Sequence, residues 1–435
     1  MARSAVRASI LAAALAAGAC AGPPSADRLP ARSDGSRSSA ATTASSAATT
    51  TSSGAPAGAI SPEAVPAAHL TAIPARPASC PQPPAERDDL SPRPTASSWK
   101  RISTDEATGS MDDLAAAPDG TLWASSTRQK AAGQGVLEYT DGGLRRWDGT
   151  AWTAMPLPSG PDVRVVALAA ASKGRAWALG IVGRTGHVAA FDGAGWRVEP
   201  LSGAAAESIG WGGTAAESIA PGRLWAVNGR VGLLDAGGAW RSYALPSPAS
   251  AVDGEGGELW AAGGTAALRW EGTGWRQVGV PALGVPAKAQ APRVSLTDVV
   301  VLGPREVWVV GGVSWLVPGA YNEENEPLEL TRPVALRWDG SSWRCGWGAV
   351  GTMLTEAESD GTGGLWALDS TRSRLWHLSD GEWTTESPPV PGGRVPELTA
   401  LARRPGSAEV YAVGAFAPEG ADHPTFAALW RTARR

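Results

Sequence analysis

The densest grouping of chemically able side chains is the stretch 314–326, where Trp315 and Tyr321 precede Glu323, Glu324 and Glu326. Two aromatics ahead of three carboxylates suit a contact surface for a protein or glycan, or a weak cation site; the plainer reading is a solvated loop. Paired carboxylates also serve glycoside hydrolysis, but that reaction needs two carboxyl groups on opposed sides of a bond. Neighbours in one loop seldom stand that way. Trp211 and Trp347 fall outside the regular tryptophan series described next. They join Trp315, Tyr321, Glu323 and Glu324 as candidate binding residues. Catalytic signatures are otherwise thin. The four histidines, His69, His187, His377 and His423, are far apart in sequence. No His-Glu-x-x-His, Cys-x-x-Cys or glycine-rich phosphate loop occurs. The expectation is no catalytic residue, no metal and no cofactor. A formal net charge of −4 speaks against nucleic acid, which wants a basic footprint.

Such residues need a scaffold, and tryptophan marks it. A first series sits in runs of the form Leu-Trp-Ala-Val: Trp123, Trp177, Trp225, Trp260, Trp308 and Trp366, with Tyr411 in seventh place. A second series follows an Asp-Gly or similar turn: Trp152, Trp196, Trp240, Trp275, Trp343 and Trp383. Apolar, β-branched and aromatic runs broken by tight turns read as strands of a meander. Members of the first series lie 35 to 58 residues apart, which suits one four-stranded propeller blade each. Small-residue runs ahead of them, such as 113–116 and 298–301, read as the innermost strands. The motif tryptophans read as core packing, not as a sugar platform. Six units are full, and the seventh stops before its last strand. Segment 97–101, Ser-Ser-Trp-Lys-Arg, matches the missing strand as it occurs at 341–345. The chain is therefore expected to be all-β: a seven-bladed β-propeller over 97–435 with four-stranded blades. An N-terminal strand pairing in the last blade closes the ring and removes two exposed sheet edges.

Residues 1–19 read as a signal peptide, with Arg3 and Arg7 ahead of an apolar run too short to span a bilayer. The segment 15–20, Leu-Ala-Ala-Gly-Ala-Cys, resembles the bacterial lipobox, with Ala17 where leucine is typical. That resemblance implies cleavage before Cys20 and lipid on Cys20; ordinary secretion is the alternative. Residues 20–96 are dominated by Ala, Ser, Thr and Pro. They bury too little apolar surface to offset ordering entropy, and read as a disordered tether. With Cys20 acylated, Cys80 and Cys345 remain as an even pair in an oxidising compartment, and a disulfide between them is expected. The expected localisation is an exported, membrane-anchored lipoprotein of the outer membrane or cell surface. It is expected to be a monomer that meets the membrane through its lipid alone.

The repeats resemble the kelch and galactose-oxidase-central-domain group of propellers, in which an apolar run ends in Gly-Gly and a tryptophan follows an aromatic-Asp turn. Leu259 to Gly264 with Trp275, and Val307 to Gly312 with Trp343, fit that outline; other units keep at most one of the glycines. The pattern is similar also to exported bacterial propellers with Trp-Asp-Gly-Ser-Ser-Trp repeats, common in myxobacteria. The resemblance spans 97–435 and implies the fold. It implies no activity, because propellers host unrelated ones. The copper site of galactose oxidase does not map onto Tyr139, Tyr243, Tyr321 and Tyr411, the only tyrosines.

In a meander, turns between first and second strands share one end of the scaffold with turns between third and fourth. Those turns are short here. The long segments, 125–142, 200–214, 282–295, 313–333, 346–355 and 415–424, fall at the other end. Loops on a rigid scaffold carry function. The expected function is a non-enzymatic envelope lipoprotein that binds a protein or glycan through this long-loop face. Two alternatives stand beside it. One is a carbohydrate-active hydrolase or lyase with carboxylates gathered from several loops; the other is a purely structural envelope protein.

Overall fold

The computed structural model describes residues 59–83, 91–105, 109–133, 136–158, 163–203, 206, 209, 214–220, 223–417 and 426–432. They are almost wholly strand and turn. The expected signal peptide and Cys20 lie outside the described residues. Among the described residues, no helix is long and apolar enough to cross a membrane.

Seven sheets of four or five strands follow one another along the described chain. The first holds Ser110–Ala116, Leu122–Gly133, Val136–Trp147 and Trp152–Ala154. The second holds Arg164–Ser172, Arg175–Val182, Thr185–Phe191 and Trp196–Pro200. In the third, Arg223–Ala236 pairs through its first half with Thr214–Ala220 and through its second with Trp240–Ala249. The fourth holds Ala251–Glu255, Glu258–Gly263, Ala266–Trp270 and Trp275–Val278. The fifth holds Gln290–Gly303, Glu306–Tyr321, Pro327–Trp338 and Trp343–Trp347. The sixth holds Leu354–Ser359, Leu365–Asp369, Leu375–Ser379 and Glu382–Glu386. The seventh takes Glu397–Arg403, Val410–Phe416 and Phe426–Thr432 from the end of the chain and Trp99–Asp105 from near its start. First strands of successive sheets touch, and that of the seventh touches that of the first. This is a β-propeller arrangement.

The sequence pattern explains the packing. Trp123, Trp177, Trp225, Trp260, Trp308 and Trp366 all sit in the second strand of a sheet, and all are buried. Each apolar cluster lies between neighbouring sheets, so both faces of a second strand are covered. The fifth sheet shows the alternation: Val307, Val309, Val313 and Trp315 join one cluster, Trp308 and Val310 the other. Continuous apolar runs follow from that two-sided burial. The glycine three places after the aromatic also has a cause. A Cβ at Gly311 or Gly414 would stand 2.0 Å from the carbonyl oxygen of Ser295 or Glu397 on the preceding strand. Only glycine admits so close a backbone.

The chain ahead of the sheets differs from the expected free tether through residue 96. Its described parts run as a strap along outer strands, visiting the sheets in order. Ile60 exchanges backbone hydrogen bonds with Pro200 and Ser202 at the second sheet (2.8 and 2.9 Å). Glu63–Val65 pairs in parallel with Trp240–Ala249 of the third. Ile73 bridges Gln277 and Gly279 of the fourth (2.9 and 2.6 Å), and the Trp343 amide of the fifth donates to Arg76 (2.6 Å). Ser79–Cys80 pairs with Ala282–Leu283. Arg93–Pro94 adds a strand to the sixth sheet. Cys80 and Cys345 are joined by a disulfide, Cα to Cα 6.3 Å, that ties the strap to the fifth sheet. Arg332, fully buried, donates to the Pro83 carbonyl beside it. Outer edges supply unpaired N–H and C=O groups, and the strap pairs with them through its backbone while Ile60, Val65 and Ile73 pack against the apolar clusters between sheets.

Candidate functional site

Two places gather functional side chains. The first is the long hairpin of the fifth sheet, formed by Glu306–Tyr321 and Pro327–Trp338. Asn322 organises its tip. The Asn322 side-chain oxygen accepts the backbone amides of Glu324 (3.0 Å) and Glu326 (2.8 Å), and the backbone N–H of Asn322 donates to the Glu326 carbonyl (2.9 Å). Asn325 takes a left-handed conformation, φ 61°, which asparagine tolerates. Glu323, Glu324 and Glu326 are exposed on this tip, beside Tyr321 at 61% exposure.

Tyr321, Glu323 and Glu324 stand together on the tip, whereas two of the other candidates are not exposed. Trp315 is 3% and Trp347 8% exposed, both packed in the cluster between the fourth and fifth sheets. The reason is parity along the strand. Trp315 shares its face with Val309 and Val313, and Trp347 shares its face with buried Trp343. Neither can offer a ring to a ligand there. Trp211 lies outside the described residues.

The second place is the centre, which sequence reasoning missed. The first strands surround a cavity of about 570 Å³ whose lining includes Asp113, Glu217, Asp253, Asp298, Glu356 and Glu358. They stand in two tiers. Glu217, Asp253 and Glu358 pair in register with Trp225, Trp260 and Trp366 of their own sheets. Asp113, Asp298 and Glu356 stand one pleat further along, opposite Ser125, Val310 and Leu368. The cavity leaves these groups half-buried, open to water along its length. Protein nonetheless surrounds them, and desolvation pushes Asp113 and Asp253 up to about 6, Asp298 to about 7 and Glu358 to about 8. Burial and neighbouring carboxylates hold Glu217 and Glu356 well above the usual carboxylate range. Arg403 offsets part of this charge while pairing with Glu255 at 2.5 Å.

The carboxylates have structural partners. Asp253 accepts the Gly254 amide (2.7 Å) and the Val301 amide of the next sheet (2.5 Å). Asp298 repeats the arrangement with Val299 (2.8 Å) and Ala357 (2.7 Å). Glu356 accepts the Leu401 amide at 2.9 Å, and Asp113 and Glu358 meet backbone amides of Leu168 and Arg403. Five of the six thus join one sheet to the next. The arrangement fastens sheets and stores protons near neutral pH. Among the described residues no group of three or more His, Cys, Asp or Glu is placed to hold a metal ion. The signal in the sequence was an acidic residue within five of the runs that precede an aromatic, as in Asp113-Leu114-Ala115-Ala116; the run of the second sheet, Arg164–Ser172, has none.

No family model and no curated protein matches this sequence. Several solved structures are similar to it in outline. YCF48 from Cyanidioschyzon merolae is 13% identical with a TM-score of 0.48, over 77% of this chain and 99% of that one. YCF48 bound to D1 peptide is 12% identical at a TM-score of 0.47, over 79% and 99%. A catalytically inactive virginiamycin B lyase from Staphylococcus aureus, with quinupristin, is 13% identical at 0.45, over 76% and 98%. At these identities the likeness is one of fold alone.

Proposed function

We propose that this chain is an exported, lipid-anchored β-propeller of seven blades that binds a basic protein partner without catalysis of its own. Trp99–Asp105 closes the ring in the last blade, and Cys20 carries the anchor. One observation carries the binding reading: Glu323, Glu324 and Glu326 stand exposed beside Tyr321 on a hairpin tip ordered by Asn322. An acidic tip steers a cationic partner, and an exposed tyrosine supplies the apolar contact. A protein is favoured over a glycan because Trp315 and Trp347, the rings that a sugar would stack on, belong to the core.

The test is a photo-crosslinker placed at Tyr321 in the envelope-bound protein, with and without Glu323→Lys, Glu324→Lys and Glu326→Lys. A discrete protein adduct that disappears on charge reversal supports the reading. Adducts unchanged by the reversal, or none, sink it. For the anchor, Cys20→Ala should release the protein from the membrane fraction, and retention there would refute lipidation.

A second reading, a carbohydrate-active hydrolase or lyase, draws on the carboxylate-lined central cavity. It ranks below binding because five of the six carboxylates bond to the backbone of the next sheet. Turnover of any glycan that is lost in Glu358→Gln would raise it above the first.

A further inference from the structure

Three glycines at the outer side of the fourth sheet stand at equal intervals, Gly274, Gly279 and Gly284. Each meets the strap. A Cβ at these positions would stand 2.7 Å from Ala68, 2.5 Å from Ala75 and 2.6 Å from Gln82, respectively. None of the three has a left-handed backbone, so the close approach of the strap is what requires glycine. Residues 274–284 are thus shaped to receive an extended chain.

Backbone hydrogen bonds hold that chain in place. The amides of Gly279, Ala282 and Gly284 donate to the carbonyls of Ile73 (2.6 Å), Ala78 (2.9 Å) and Cys80 (2.9 Å), and the Trp343 amide of the fifth sheet donates to Arg76 (2.6 Å). The strap is therefore wedged between the fourth and fifth sheets. Ile73 and Cys80 pack there with Val280, Leu283 and Trp343. Lifting the strap would bare four amides and this apolar floor together. A few hydrogen bonds and two small apolar side chains have to offset the entropy of ordering an extended stretch. Among the described residues the Cys80–Cys345 disulfide is the one cross-link that helps them. Its two ends differ. Cys80 is buried, whereas Cys345 is half-buried.

We propose that this disulfide is a redox latch, opened by a dithiol reductant. A thiolate of the reductant attacks the Sγ of Cys345, the more open end. A mixed disulfide forms there and Cys80 leaves as a thiolate. The second thiol of the reductant then displaces Cys345. The reductant gives up two electrons and becomes a disulfide, and its two protons pass to the cysteines. The strap then lifts from residues 274–284 and from Trp343, while Arg93–Pro94 stays paired with the sixth sheet. An oxidising compartment keeps the latch closed. The device is independent of the hairpin tip.

The test is amide hydrogen exchange on the full chain, oxidised and after treatment with dithiothreitol under native conditions. The amides of Gly279, Ala282, Gly284 and Trp343 should exchange about a hundredfold faster once reduced, the effect of losing a typical disulfide. Leu296, whose amide donates to Gly264 within the sheets (2.7 Å), should keep its rate. Cys345→Ser should show the same pattern without reductant, and reoxidation of the parent should restore protection. Unchanged exchange at the four amides would overturn the proposal. So would equal acceleration at Leu296, which would mean that the sheets themselves had loosened. A disulfide that dithiothreitol cuts only as fast as the whole protein unfolds would overturn it too.

Discussion

The carboxylate of Asp298 accepts the amide of Ala357 at 2.7 Å, joining the first strand of the fifth sheet to that of the sixth. The same carboxylate accepts the amide of Val299, so one side chain satisfies two strands. Replacing Asp298 with alanine leaves both buried amides without an acceptor. The expected cost is about 1–3 kcal/mol, read as a lower midpoint in urea. Asp298→Asn keeps one acceptor and should cost less. Equal midpoints for all three proteins would show that the link contributes nothing.

Stability should fall as pH rises across the neutral range. The ordinary carboxylate values are 3.8 and 4.5, and in the folded chain Asp113, Asp253, Asp298 and Glu358 lie at about 6, 6, 7 and 8. The folded state therefore binds more protons than the unfolded state between about pH 4 and 8, so the slope of stability against pH is negative there. Below that window the sign reverses. Hydrogen bonds hold Asp148 and Asp360 near 2, the latter against the opposing effect of its burial. Protonating them removes stability. Melting temperature should peak at about pH 4, where the two opposing slopes cancel, and Glu358→Gln should flatten the alkaline limb. A flat profile from pH 5 to 8 would contradict the assigned protonation.

Cys80→Ser should lower stability by about 2–5 kcal/mol, because the disulfide closes a loop across 265 positions. The strap should then be cut by protease within 59–96 while the sheets survive. Calorimetry with limited proteolysis checks both. A strap equally resistant in Cys80→Ser would mean that its edge hydrogen bonds hold it unaided.

Trp315 and Tyr321 should respond oppositely to truncation. Trp315→Ala empties part of a closed cluster and should cost about 3–5 kcal/mol. Tyr321→Ala changes an exposed tip and should stay within about 0.5 kcal/mol. Comparable losses would place both residues in one environment, against the burial of the first and exposure of the second.

The tryptophan series made the repeat legible, because a large ring at a constant place in each unit has one economical explanation, burial between sheets. The pairing of Trp99–Asp105 with Phe426–Thr432 was legible for a related reason, since Trp99 packs against Trp366 as Trp196 packs against Trp123. Trp315 and Trp347 were misread because irregular placement was taken for exposure. Counting pleats would have told otherwise, since Trp347 stands four residues from Trp343 and so on the same face. The strap was illegible to any compositional reading. It is held by main-chain hydrogen bonds at Ile60, Ile73 and Arg76, which every residue type carries, and by isolated apolar side chains, Ile60, Val65 and Ile73, that follow no strand period. The central carboxylates were in view, in Asp298-Val299-Val300-Val301 and its equivalents, but their small neighbours drew the attention.

Residues 59–105 are synthesised before any strand on which they rest. Ile60 waits for Pro200, Arg76 for Trp343, and Trp99–Asp105 for Phe426–Thr432, made more than three hundred residues later. Contacts so distant in sequence close slowly. This segment is thus the last to settle, and until it does the outer edges of the sheets stand open to other chains. A cell that makes this protein has to guard those edges for the whole of its synthesis.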